Sequence, residues 1–271
     1  MRSSGSDVNQ AGPARILIIA GSDSGGGAGI QADIKTITCL GGYAMTAVTA
    51  VTVQNTLGVS AIHAIPPEIV AAQIRACIDD IGVDAIKIGM LGSAATINAV
   101  ADALAGVTVP IVLDPVMVAK GGASLIDHDA AEALIRRLLP LAAVVTPNTP
   151  ELVELTDTEV EDATDALLAA QELLSAGPRA VLAKGGHLPG DTLTDWLVTR
   201  GGHFAFTSPR IASRHTHGTG CTLASALACG LGQGLTLEAA VERARAFVVQ
   251  GIARAPGLGA GHGPLGFYPL A

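Results

Sequence analysis

Charge is scarce in this chain: Asp, Glu, Lys and Arg together make up 15% of its 271 residues. What charge there is leans acidic, at a formal net −8. That argues against nucleic acid or an anionic membrane as the main partner. Aromatic residues reach only 3%, too few for a base-stacking platform. The four cysteines, Cys39, Cys77, Cys221 and Cys229, show no CxxC spacing. That leaves zinc ribbons, dithiol redox centres and a disulfide framework unsupported. Residues 1–14 lack the apolar core of a signal peptide, and no apolar run approaches the ~20 residues of a membrane span. The expectation is a soluble, cytoplasmic protein with a disordered tail over 1–14 and a single domain over 15–271.

Apolar residues, by contrast, are abundant at 49%, enough for a sizeable layered core. RILIIA (15–20) reads as a buried strand, followed by the glycine-rich loop GSDSGGGAG (21–29) and a helix over 30–40. One or two strands are expected over 43–55, and Pro66-Pro67 opens a helix over 67–81. A strand with its exit loop at 85–91 and strands at 111–116, 142–146 and 180–186 alternate with helices at 96–105, 129–139 and 162–176. Gly201-Gly202 turns a hairpin over 192–207, and a last helix is expected over 236–254. Such alternation predicts a mainly parallel sheet between helices, with ligands gathering at the carboxyl ends of its strands. Asp23, Gln54-Asn55, Met90, Asp114, Asn148, Glu151 and Lys184 to His187 all fall at such ends.

The stretch His215 to Thr222 is polar and glycine-rich, and it runs into the alanine-rich LASALA (223–228). Gly218 and Gly220 free the backbone to aim successive amides into one concavity as a helix begins. Such a turn is an anion site, and Cys221 would face the anion. Gly27 to Ala32 matches the glycine fingerprint of dinucleotide-binding folds. No Asp or Glu lies between Ile34 and Pro67 to hold a ribose, so the match fails. No glycine loop ends in a lysine followed by serine or threonine, which excludes a P-loop nucleotidase. Asp114, Asn148 and Glu151 suit a network of Mg²⁺, phosphate and water. The Asn148/Glu151 spacing equally suits a helix capping box.

Seven segments form one set: GSDSGGGAGIQADIKT (21–36), VTVQNTLGV (51–59), KIGML (87–91), VLDPVMVAKGG (112–122), TPNTPE (146–151), KGGH (184–187) and HGTGCTLASALA (217–228). Together they resemble the hydroxymethylpyrimidine/phosphomethylpyrimidine kinases of thiamine biosynthesis, in the ribokinase-like superfamily. The likeness runs from about residue 15 to 254. It implies a three-layer α/β/α sandwich with a mainly parallel central sheet and a small strand flap. It also implies phosphorylation of 4-amino-5-hydroxymethyl-2-methylpyrimidine and of its monophosphate by ATP with Mg²⁺, K⁺ being an optional further cation, in a homodimer.

By the same resemblance the amides of Gly218, Thr219 and Gly220 hold the moving phosphoryl group. Asp114, Asn148 and Glu151 hold Mg²⁺ and its waters, and Lys184 neutralises phosphate. Cys221 stands where sugar kinases of the superfamily carry an aspartate base. A helix N-terminus lowers a thiol pKa and nearby phosphates raise it, so the balance stays open. Gln54, Asp33, Ala28, Thr52 and Met90 fall at pyrimidine-pocket positions. Ser24-Gly25 departs from the Pro-Ser of some members. Pyridoxal kinase, of the same architecture, is the alternative activity, and a catalytically silent pyrimidine-binding homologue is the second.

Overall fold

A computed structural model describes residues 12–117 and 128–269. Residues 1–11, and 118–122 of the segment beginning at Val112, lie outside them. The elements run β1 (Arg15–Asp23), α1 (Gly29–Cys39), β2 (Tyr43–Asn55), β3 (Gly58–Ala64), α2 (Pro67–Ala76), β4 (Ala85–Ile88) and α3 (Ala94–Ala103). They continue with β5 (Ile111–Leu113), α4 (His128–Arg137), β6 (Val144–Val145), α5 (Thr149–Thr156), α6 (Ala163–Ser175) and β7 (Ala180–Ala183). The hairpin β8 (Thr192–Thr199) and β9 (Gly202–Pro209) precedes α7 (Thr219–Gly232) and α8 (Leu237–Ala253).

The strands form one nine-stranded sheet in the order β3-β2-β1-β4-β5-β6-β7-β8-β9. The six from β2 to β7 are parallel, while β3 and the β8–β9 pair run antiparallel at the two edges. Period-two alternation splits the parallel strands between two cores. Leu17 and Ile19 of β1 join Ile86, Ile88, Ile111 and Leu113 against α2 to α6. Ile16, Ile18 and Ala20 join Val112 and Val144 against α1, α7 and α8. Helical layers on both faces explain why the inner strands read as near-continuous apolar runs. The sheet is the middle layer of an α/β/α sandwich.

Chain order reverses at β1: the chain first moves outward to β2 and β3, then crosses back to β4 on the other side. The crevice beyond the carboxyl ends of β1 and β4 is thus the topological switch point where open α/β sheets bind ligands. A register shift between Ala20 and Ser22 bends β1 there. At this edge the end of β2 (residues 50–55) pairs with β3 as an antiparallel hairpin whose tip reaches past β1, in the place of the expected flap. Val51, Val53, Leu57 and Ile62 are exposed on it.

Several segments differ from the sequence expectation, among them β3 (Gly58–Ala64), where the sequence reading has no strand, and the helix expected over 67–81, whose α-helical part ends at Ala76. The helix after the glycine turn starts at Thr219 with Gly218 as its N-cap, four residues before the apolar run, because polar first-turn residues are invisible to hydrophobic periodicity. Residues 149–156 form α5, which the two prolines in TPNTPE obscured. Pro150 occupies its first turn, where the missing amide costs nothing. The strand expected over 180–186 stops at Ala183 and turns as a short 3₁₀ segment, Gly185–His187.

Candidate active site

Two glycine loops meet at the switch point, and Asp23 ties them together. Its Oδ1 accepts the Gly25 amide at 2.8 Å, and its Oδ2 accepts the amides of Gly27 at 3.1 Å and Ala28 at 2.8 Å. The same Oδ2 lies 2.9 Å from Nε2 of His217 in the second loop. Burial pushes the Asp23 carboxyl up, but His217 and the loop amides outweigh it and hold it below the ordinary aspartate value. Gly218 completes the junction. Its φ of 85° is left-handed, and a Cβ there would strike the Gly27 carbonyl oxygen. Only glycine lets the two backbones meet.

The first turn of α7 begins at this junction. Thr222 donates its amide to the Gly218 carbonyl at 2.9 Å, and Thr219 turns its own toward Thr216 at 3.4 Å. Among the described residues the amides of Gly220 and Cys221 have no backbone acceptor. They are helix-start donors with the dipole behind them, a geometry suited to an anion.

A charged cluster stands beside this turn. A Cβ on Gly220 would lie 3.4 Å from Nζ of Lys184 and 3.5 Å from Oδ2 of Asp114. Lys184 donates to Oδ1 of Asp114 at 2.9 Å and reaches Oε2 of Glu151 at 3.8 Å. Thr146 also donates to Oδ1 of Asp114, at 3.1 Å. Burial opposes the charge on Asp114, yet Lys184 and Lys87 hold it below the usual carboxylate range. Burial also works against the Lys184 ammonium, and Asp114 with Glu151 more than compensates, so its pKa rises. For Glu151, burial with help from Asp114 wins over Lys184, and the carboxyl is pushed up to about 7. The capping box is real: Asn148 Oδ1 accepts the Glu151 amide at 3.0 Å, and Glu151 Oε2 accepts the Asn148 amide at 2.7 Å. One Glu151 oxygen caps α5 while the side chain stays within reach of Lys184.

The third part lies toward the flap. Thr52 and Gln54, two residues apart on β2, point to the same side. The Thr52 hydroxyl lies 2.9 Å from the Ser22 carbonyl and 3.0 Å from Oε1 of Gln54. Nε2 of Gln54 lies 3.4 Å from Nε2 of His217. Ala28 and Met90 are half-buried, and the Met90 carbonyl accepts from Thr49 at 2.7 Å. Asp33 sits deeper than the others. It has no exposed surface, and its two oxygens take Lys87 Nζ at 2.9 Å and the Ser225 hydroxyl at 2.7 Å. Cys221 lies above it on α7. Burial raises the thiol pKa to about 11, with Lys87 pulling the other way.

The family model for phosphomethylpyrimidine kinase matches residues 23–266. The chain belongs to that family. A hydroxymethylpyrimidine/phosphomethylpyrimidine kinase of Streptomyces coelicolor is 49% identical over 253 residues, covering 93% of this chain and 94% of its own. A phosphomethylpyrimidine kinase structure from Clostridium difficile superposes with a TM-score of 0.78 at 39% identity, over 87% of this chain and 98% of that one. An ADP complex of Bacillus subtilis pyridoxal kinase reaches 0.88 at 34% identity, over 94% and 97%. The sandwich is therefore the ribokinase-like one, and the chain is a kinase.

Besides the residues singled out in the sequence, the crevice of this phosphomethylpyrimidine kinase family member holds others that the sequence reading passed over. Lys87 is the clearest, a fully buried lysine in the apolar strand β4. A lone charge inside AIKI was the available signal. Ser225, beneath Cys221, was hidden in a run read as apolar. The segment after residue 255 carried no pattern at all, yet it packs on the site. The His217 amide donates to the Gly263 carbonyl at 3.1 Å, the His262 amide to Thr56 at 2.9 Å, and Leu265 is buried.

Proposed function

We propose that this kinase transfers the γ-phosphoryl group of ATP to the hydroxyl of 4-amino-5-hydroxymethyl-2-methylpyrimidine, and then a second one to the monophosphate. One observation supports this most: the helix-start amides at Gly220 and Cys221, the Lys184 ammonium and the Asp114 carboxylate converge on one spot beside a single thiol. Phosphoryl transfer asks for positioning and charge neutralisation more than covalent help. The α7 amides receive the phosphoryl oxygens as negative charge moves onto them. Lys184 holds the phosphate chain. Cys221 orients the acceptor hydroxyl and takes its proton as the new oxygen–phosphorus bond forms and the bond to ADP breaks. Gln54 reads the aminopyrimidine edge, with Thr52, Ala28 and Met90 around the ring.

Among the described residues no group of three or more His, Cys, Asp or Glu forms a metal cage. Two carboxylates, Asp114 and Glu151, separated by Lys184 fit Mg²⁺, which keeps most of its waters and takes few protein oxygens. When bound, Mg²⁺ neutralises phosphate charge. In this reading K⁺ has no assigned ligand. All four cysteines are unpaired, in keeping with a reducing cytoplasm. The exposed Val51 and Val53 on β2 support pairing of two copies at the flap.

The test is ADP release by wild type and Cys221→Ala with the pyrimidine alcohol as acceptor. The reading expects wild-type turnover, a variant that loses most of it, and nearly unchanged ATP binding, because the amides survive the change. A variant kcat within roughly threefold of wild type, about 0.7 kcal/mol, removes the thiol from the mechanism. No turnover by the wild type would favour a silent pyrimidine-binding homologue.

A further inference from the structure

Lys87 has no part in the scheme above, yet it is the largest fully buried side chain among the described residues. A buried ammonium is costly unless it is paired and serves something. On β4 it points to the α1 and α7 side, since its neighbours Ile86 and Ile88 pack in the opposite core. Its partner Asp33, also without exposed surface, comes from α1 at 2.9 Å. The second oxygen of Asp33 takes Ser225 of α7, four residues and one turn after Cys221. Three elements are thus clamped beneath the thiol. Gly89, just past the end of β4, leaves the room: a Cβ there would lie 2.7 Å from the Lys87 nitrogen.

We propose that Lys87 is a positioning residue for Cys221, a buried cation held by Asp33 and Ser225 so that negative charge can reside on the sulfur when it accepts the acceptor's proton. The inference rests on the phosphoryl-transfer reading. The proton balance is simple. Thiolate takes the hydroxyl proton, the hydroxyl oxygen joins the γ-phosphorus, the electron pair of the broken bond leaves with ADP, and the thiol later returns its proton to solvent. The charged groups facing Cys221 are Lys87 from β4, Asp33 from α1, Asp114 after β5, and Lys184 after β7. Among them Lys87 most favours the thiolate, and Asp33 and Asp114 oppose it. Burial works against the Lys87 charge, but Asp33, with Cys221 and Asp114, more than offsets it, so the lysine stays protonated.

Two variants at position 87 test this. Cys221 would be alkylated with iodoacetamide at fixed mildly alkaline pH, without substrate, and its labelling rate followed by peptide mass spectrometry apart from the other cysteines. Lys87→Met should slow labelling about tenfold or more, because the rate follows the thiolate fraction. Lys87→Arg, which keeps a cation beside Asp33, should label at least about threefold faster than Lys87→Met. A merely structural clamp would slow the two variants alike, and that result, or a Lys87→Met rate equal to wild type, overturns the proposal. Should Lys87→Met fail to fold, Lys87→Gln takes its place under the same criteria. In turnover, Lys87→Met should lower kcat roughly tenfold or more while leaving KM for ATP within about threefold. Labelling needs no acceptor, so a wrong choice of substrate would leave the two labelling rates unaffected.

Discussion

At the residue scale, two side chains carry predictions of opposite kinds. Glu151 is both cap and cluster member, and Glu151→Gln separates the roles because a carboxamide oxygen still accepts the Asn148 amide. The half-saturating Mg²⁺ concentration should rise and kcat fall. Unchanged values of both would leave Glu151 a cap alone. Its pH signature has a definite sign. Burial raises its folded pKa to about 7 from an ordinary 4.5. The folded state therefore binds the proton more tightly, and the associated stability is complete below 4.5 and lost as pH rises through 7. Wild-type Tm should fall between pH 5 and pH 8, and Glu151→Gln should remove much of that fall. Gln54 tests recognition instead. Its carboxamide offers an acceptor and donors to an aminopyrimidine edge, and an unpaired partner costs about 1–3 kcal/mol. Gln54→Leu should lower kcat/KM for the pyrimidine by roughly 5- to 150-fold, with a much smaller loss for pyridoxal. Equal losses together with a lowered Tm would mean that Gln54 only ties down the flap.

At the element scale, the segment after α8 behaves as a strap. It bridges to His217 at Pro264, meets the β2–β3 turn at Thr56, and buries Leu265 beside Gly251 of α8. Deleting residues 258–271 should lower Tm, since emptying one buried leucine site alone costs about 2–5 kcal/mol. It should also raise KM for the pyrimidine more than KM for ATP, because the strap contacts the flap turn and the His217 loop. Steady-state kinetics at a temperature where the shortened chain stays folded checks this, and an unchanged pyrimidine KM contradicts it. Elements like this one mark the limit of reading from sequence. The strands and helices with strong periodicity were legible to within a few residues, as was the hairpin turn at Gly201-Gly202. The strap was not, because it has neither period nor regular hydrogen bonding. Nor was the early start of α7, whose first turn is Thr-Gly-Cys. Lys87 and Asp33 show the same limit for the site, for their meaning lies in a pairing 54 residues apart that no local pattern encodes.

At the scale of the whole molecule, the sheet order explains why such distant residues meet. The reversal of chain order at β1 opens one crevice. The Asp23 loop enters it from β1, Lys87 and Met90 come from β4 and its exit, Asp114 follows β5, Asn148 and Glu151 follow β6, and Lys184 follows β7. The helix α7 then lays its amino end across that crevice. The same sandwich serves pyridoxal kinases, as the Bacillus subtilis structure shows, so architecture does not choose the acceptor. In the proposed reading the choice falls to the Gln54 side of the crevice. The most direct measurement is kcat/KM of the wild-type protein with ATP and Mg²⁺ for three acceptors side by side: the pyrimidine alcohol, its monophosphate and pyridoxal. The account predicts turnover of both pyrimidines, each at least about tenfold above pyridoxal, a difference of about 1.4 kcal/mol in transition-state binding. A preference for pyridoxal, or turnover of neither pyrimidine, would contradict it.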